Sequence, residues 1–224
     1  MNTKNKLIQL FGGLALAAML PAGKAIDAPH GRVEAFAGND KSTLDTKVFG
    51  SLGSHFTYFG RNITTHDYNA KSISPFSFID LSLNLPKGFT LVNETQFIDT
   101  DAGTLVTPRL GFEYAATLSP ISTNLTLYTI NTVNIPTHRD PLLNGENVVT
   151  LGYAPPIGKS GKWNALAQVE AVTNYGGEGL NFARQNVRIG LATKRLEFGV
   201  GVNLSHAPHT KSSYTVGPFI SWKF

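Results

Sequence analysis

Leu196-Glu-Phe-Gly-Val-Gly-Val-Asn-Leu-Ser205 is the stretch from which the fold can be read. Leu196, Phe198, Val200, Val202 and Leu204 fall on one face, and Glu197, Gly199, Gly201, Asn203 and Ser205 on the other. A period of two is that of a β-strand, whose successive side chains point to opposite sides. Lys194-Arg195 join this stretch to a similar one at 184–193, the tightest connection in the chain. The pattern recurs in Pro108, Leu110, Phe112 and Tyr114 against Arg109, Gly111, Glu113 and Ala115. It marks segments at 48–60, 76–85, 89–98, 106–118, 123–135, 147–157, 163–175, 184–193, 196–205 and 213–224. None is followed by an amphipathic helix, so the chain reads as all-β.

The connections alternate between long and short. Arg61 to Pro75, Asp99 to Leu105, Pro136 to Glu146, Gly176 to Ala183 and His206 to Ser212 are the longer ones. Pro86-Lys87-Gly88, Ser119 to Ser122, Gly158 to Lys162 and Lys194-Arg195 are the shorter. That rhythm fits a transmembrane up-and-down antiparallel barrel with one elaborated rim. A soluble sandwich or barrel alternates equally well, with its apolar face turned inward. Strand length decides between them: these segments approach the nine to eleven residues, roughly, of a tilted membrane strand, against about five or six for an ordinary one. The apolar face is also nearly free of charge.

The chain ends Tyr214-Thr-Val-Gly-Pro-Phe-Ile-Ser-Trp-Lys-Phe224. A terminal Phe preceded by alternating apolar residues resembles the last strand of bacterial outer-membrane β-barrel proteins. Phe224, Trp222, Ile220, Val216 and Tyr214 fit, and Pro218 departs from the pattern. The resemblance implies a porin-like barrel whose final strand is read by the insertion machinery. It also implies periplasmic chaperones, outer-membrane lipid and lipopolysaccharide as partners. It names no subfamily. Outer-membrane barrels have even strand numbers. Counting back from Phe224 gives ten strands, with residues 48–224 as the barrel and 26–47 as a periplasmic stub or plug. Twelve follow if Arg32 to Gly38 and a split 46–60 region each pair.

The first 25 residues read as a secretory signal peptide: Lys4 and Lys6, an apolar run from Leu7 to Leu20, and small residues at Gly23 and Ala25. The formal charge of the chain is +4. Without that segment, 16 basic and 15 acidic groups remain, so nucleic-acid binding has no electrostatic footprint. No mature stretch of 18 apolar residues exists, which excludes a helical membrane bundle. The absence of cysteine excludes disulfides, thiol catalysis and Cys-ligated zinc. No cofactor is implied, and a monomer is expected.

With the apolar face toward lipid, the other face lines the lumen. Asp80, Glu94, Arg109, Glu113, Glu170, Arg188, Glu197 and Lys223 lie on it. The connections place Asp80, Glu94 and Arg109 in one row, Glu170 opposite Arg188, and Glu197 opposite Lys223. Signs balance in total, so no one-signed ring is expected. Inward glycines leave room for a narrow water path.

The outer rim carries His66, Asp67, Asp99, Asp101, His138, Asp140, His206 and His209, with His55 near the top of the first strand. Three chemistries are open to them. Asp99-Thr-Asp101 is similar to the Asp-x-Asp pair of omptin proteases, but His138-Arg-Asp140 matches their second pair only in reverse. Ser205-His206 resembles the residue types of lipid A deacylases, yet neighbours on a strand point apart. His66, Asp67, His138, Asp140, His206 and His209 have the donor types for zinc or copper, without diagnostic spacing. None of the three outweighs solvated loop residues, and no catalytic residue is assigned. The function expected is a narrow passive channel for ions or small polar solutes. The alternative is a closed structural or surface-interaction barrel, and a rim hydrolase is third.

Overall fold

The computed structural model describes residues 30–100, 103–135, 144–176 and 179–224. The strands are β1 (His30–Ala37), β2 (Lys41–Leu52), β3 (Phe56–Asp67), β4 (Ser72–Asn84), β5 (Phe89–Thr100), β6 (Gly103–Thr117) and β7 (Leu125–Asn134). They continue as β8 (Gly145–Tyr153), β9 (Pro156–Ile157), β10 (Trp163–Gly176), β11 (Gly179–Ala192), β12 (Leu196–His206) and β13 (Ser213–Lys223). All pair antiparallel with their sequence neighbours except β9, a two-residue piece against the start of β10. β8 pairs directly with β10, and β1 pairs with β13, so twelve strands close into a barrel. The seam is tight: Gly31 N donates to Phe224 O at 2.9 Å, and Phe224 N donates to Gly31 O at 3.0 Å. Closure leaves no sheet edge with unpaired backbone groups, as a membrane interior demands.

Ten strands were expected, with twelve as the alternative, and twelve are present. Residues 30–47, set apart as a stub or plug, form β1 and the first half of β2. The segment 48–60 is not one strand but two. Gly53, at φ +75°, turns the chain between them. The reason for the misreading is local. β1 turns Arg32, Glu34 and Phe36 inward and only Val33, Ala35 and Ala37 outward, while β2 carries Lys41, Asp45 and Lys47 among twelve residues. Their outward faces are too small, and their inward faces too charged, to stand out as amphipathic strands. The signal-peptide segment lies outside the described residues.

The rims also differ from the expected rhythm. Most of Arg61 to Pro75 is strand, leaving the turn 68–71. Among the described connections, the opposite rim holds 38–40, 68–71 and 207–212. The rim of the termini holds 53–55, 85–88, 118–124, 154–162 and 193–195, so His55 lies there and not on the opposite rim.

The outward face is apolar. Phe112, Ile189, Val200 and Ile220 are 59, 63, 55 and 52% exposed. Toward the rim of the termini, Phe56, Phe89, Tyr114, Tyr153, Trp163, Phe198, Trp222 and Phe224 occupy outward positions as an aromatic girdle. Phe89 packs on Tyr114 with ring centroids 4.9 Å apart, and Trp163 meets Phe198 edge-on at 6.1 Å. An apolar outside with aromatic anchors is the surface of a barrel in lipid. No described helix is long and apolar enough to cross a membrane; the crossing elements here are strands.

Candidate functional site in the barrel lumen

The inward face carries the charges, and the strand register fixes which of them meet. Asp80, Glu94 and Arg109 are direct partners across β4, β5 and β6. Arg109 Nη1 lies 3.1 Å from Glu94 Oε1 and 3.5 Å from Glu146 Oε1, and Gln96 Nε2 donates to Glu94 Oε1 at 2.7 Å. Asp80, Glu94 and Arg109 are almost wholly buried, and Asp80 Oδ1 has no hydrogen-bond partner. Next to this group, Tyr128 donates to Glu113 Oε2 at 3.4 Å.

The other two expected pairs fall differently. Glu170 is opposite Asn186, and Arg188 is opposite Gln168. The strands β10 and β11 run on to Gly176 and from Gly179, and a bulge at Asn174/Tyr175 shifts the register. Glu170 instead accepts from Asn186 Nδ2 at 2.7 Å and lies 3.8 Å from Arg184 Nη2. Arg188 Nε donates to Glu34 Oε1 at 3.1 Å, and its Nη1 to Asn203 Oδ1 at 2.7 Å. Its guanidinium stacks 4.8 Å from the Phe36 ring centroid and 5.6 Å from that of Phe219. Glu197 is opposite Ser221, two residues from the expected partner, yet the long Lys223 stem still brings its ammonium to Glu197 Oε1.

Sequence reading missed the richest part of this network because it lies on β1, β2 and β3. Asp45 accepts both Arg61 Nε at 2.9 Å and Arg61 Nη2 at 2.7 Å, a bidentate pair. Lys47 Nζ is 3.3 Å from Asp45 Oδ2. Arg32 Nη2 lies 2.8 Å from both Glu34 Oε2 and Glu197 Oε2, and Arg32 Nε donates to Ser221 Oγ at 2.6 Å. The available signal was the alternation Arg32-x-Glu34 and Asp45-x-Lys47 at strand period.

A cavity of about 250 Å³ opens beside these groups, lined from β1, β2, β3, β10, β11 and β12. Its charged lining is Arg32, Lys41, Lys47, Arg61, Arg184 and Arg188 against Glu34, Asp45 and Glu170, a net +3. Arg184 Nε is buried there without a partner. The wall formed by β4 to β8 holds Asp80, Glu94, Glu113 and Glu146 against Arg109, a net −3. The formal charges of the two walls cancel, but they are divided by sign. A second, more open recess of about 910 Å³ lies at the rim of the termini.

The inward glycines do more than leave space. Gly190 and Gly199 are register partners, and a Cβ on either would strike the neighbouring strand's backbone. Gly201 accommodates the Arg188 side chain, whose Nη1 would lie 2.6 Å from a Cβ there.

The rim residues do not converge. His66 packs edge-on to Tyr68, and Asp67 accepts from Ala70 N at 2.8 Å. His206 Nδ1 lies 3.0 Å from Ser212 Oγ, and Ser205 Oγ bonds Ser213 Oγ at 2.7 Å, so Ser205 and His206 are engaged with different partners. His209 lies in the turn after β12. His138, Asp140 and Asp101 lie outside the described residues. Among the described residues no group of three or more His, Cys, Asp or Glu is placed to hold a metal ion. Tyr214, Val216, Ile220, Trp222 and Phe224 all project outward from the last strand and are exposed.

No family model and no curated protein sequence matches the chain. Solved structures do. The NanC porin aligns over 88% of this chain and 99% of its own, at TM-score 0.53 and 9% identity. The KdgM porin in complex with disordered oligogalacturonate aligns over 87% and 99%, at TM-score 0.52 and 8% identity. This chain has the fold of outer-membrane β-barrel porins. At such identities the likeness is one of fold.

Proposed function

We propose that this protein is a narrow passive channel of the bacterial outer membrane, taking ions or small polar solutes. The observation that carries the reading is the charged cavity of about 250 Å³ inside a barrel whose outside is apolar. A water-filled path needs polar walls, and a lipid-facing surface needs apolar ones. The net +3 of the cavity lining favours anions over cations, because low-dielectric walls focus the field of unmatched charge. Binding of oligogalacturonate, an acidic sugar chain, by the KdgM porin is in keeping with that sign. In this reading the lipid-facing band meets outer-membrane lipid and lipopolysaccharide, and the last strand is the insertion signal.

The decisive experiment is single-channel recording of the refolded mature protein in a planar bilayer. Discrete openings with an anion-directed reversal potential are expected. Silence from protein shown to be folded overturns the channel reading. It would favour a closed barrel, to which the buried Glu94–Arg109 pair on the opposite wall is suited.

A further inference from the structure

The cavity and the recess share lining at one place, although Trp222 and Phe224 of the outward girdle also border the recess. Arg32 and Lys47 line both, and no other residue does so. They are register partners on β1 and β2, so the two cationic side chains leave the wall side by side. We propose that Arg32 and Lys47 form the constriction of the pathway, with Arg32 as its fixed side and Lys47 as its movable one. This rests on the channel reading.

The two residues are held very differently. Arg32 is clamped by Glu34, Glu197 and Ser221, from its own strand and from β12 and β13. Two hydrogen bonds, to Ser221 and Glu34, and an ion pair with Glu197 at 2.8 Å leave the planar fork little freedom. Lys47 has one ion-pair partner, Asp45, at 3.3 Å. That carboxylate already accepts two hydrogen bonds from Arg61. Its charge is met without Lys47, so the ammonium can swing on its flexible stem at little electrostatic loss. The constriction therefore consists of a rigid guanidinium and a mobile ammonium. A passing anion meets positive charge where the path is narrowest, and Lys47 sets both the width and the sign there. The acidic wall from β4 to β8 contributes none of the lining of either chamber.

The test compares wild type, Lys47→Ala, Lys47→Glu and Arg32→Gln in planar bilayers under a potassium chloride gradient. Lys87→Ala, in the turn at 85–88, is the control. The heat-dependent gel shift confirms that each barrel is folded. Lys47→Ala is expected to raise unit conductance and weaken anion preference, and Lys47→Glu to reverse the sign of the reversal potential. Arg32→Gln removes the clamp; if it does not fold, the two Lys47 variants carry the test. Conducting wild type with both Lys47 variants unchanged overturns the constriction and leaves the channel standing. Silence in wild type and in Lys47→Ala overturns both. Silence in folded wild type with openings in Lys47→Ala overturns the channel reading for the wild type and identifies Lys47 as the group that closes the path.

Discussion

Among the described residues, Arg109 is the only basic one in the strands of the acidic wall, and it is 2% exposed. Reversing it to Glu would put three carboxylates in one row with Asp80 and Glu94, with Glu146 as a fourth nearby. Leaving a buried charge without its partner costs about 3–5 kcal/mol. Arg109→Glu is therefore expected to lower the temperature at which the folded band is lost on a gel, or to prevent folding altogether. An unchanged transition would contradict the pairing. Asp80 makes the opposite case. It faces Glu94 directly, and its Oδ1 is buried without a partner. Asp80→Asn removes one like charge and supplies an amide donor toward Glu94. Relief of a facing like-charge pair is worth roughly 0.2–1 kcal/mol. The variant should refold at least as well as wild type, with a slightly higher urea midpoint. A lower midpoint would mean that the Asp80 charge itself is needed.

At the scale of strands, the division of 48–60 by the turn at 53–55 has a topological consequence. Ser54 lies on the rim of the termini and His209 on the opposite rim. The chain has no cysteine, so single substitutions report position cleanly. In intact cells, a membrane-impermeant maleimide should label His209→Cys and spare Ser54→Cys until the outer membrane is breached. Labelling of both in intact cells would overturn the twelve-strand topology. The strands from β4 onward, apart from the two-residue β9 that was read as the end of 147–157, were legible because large apolar residues alternate with polar ones over nine or more positions. Alternation in β6 and β12 sets Arg109, Glu113 and Glu197 at the parity opposite to the apolar residues. β1 and β2 were not legible, because their outward residues are small and their inward residues charged. The Asp45–Arg61 and Arg32–Glu197 pairs were lost with them. Charge sign by wall was likewise invisible in composition, since it depends on which strands lie opposite after closure.

The whole barrel behaves electrostatically as two facing walls of opposite sign, with the open space beside the basic one. Packing explains the asymmetry. On the acidic wall, Val92 is buried and Glu94 and Arg109 are buried as an ion pair, whereas the cavity borders Arg184, whose Nε has no partner. An eccentric path with a net +3 lining should select by sign, and that selectivity should depend on salt. The Debye length is about 10 Å at 0.1 M and about 3 Å at 1 M ionic strength. At the lower concentration the field of the lining spans a narrow lumen, and at the higher it decays within about one contact distance. The ratio of chloride to potassium permeability is therefore expected to be greatest in dilute salt and to approach unity as salt rises. Reversal potentials measured at a fixed tenfold gradient, with the mean concentration stepped upward, read this directly. A ratio that favours potassium in dilute salt would place the conducting path against the β4 to β8 wall instead. A ratio independent of salt would mean that geometry, not unmatched charge, governs passage.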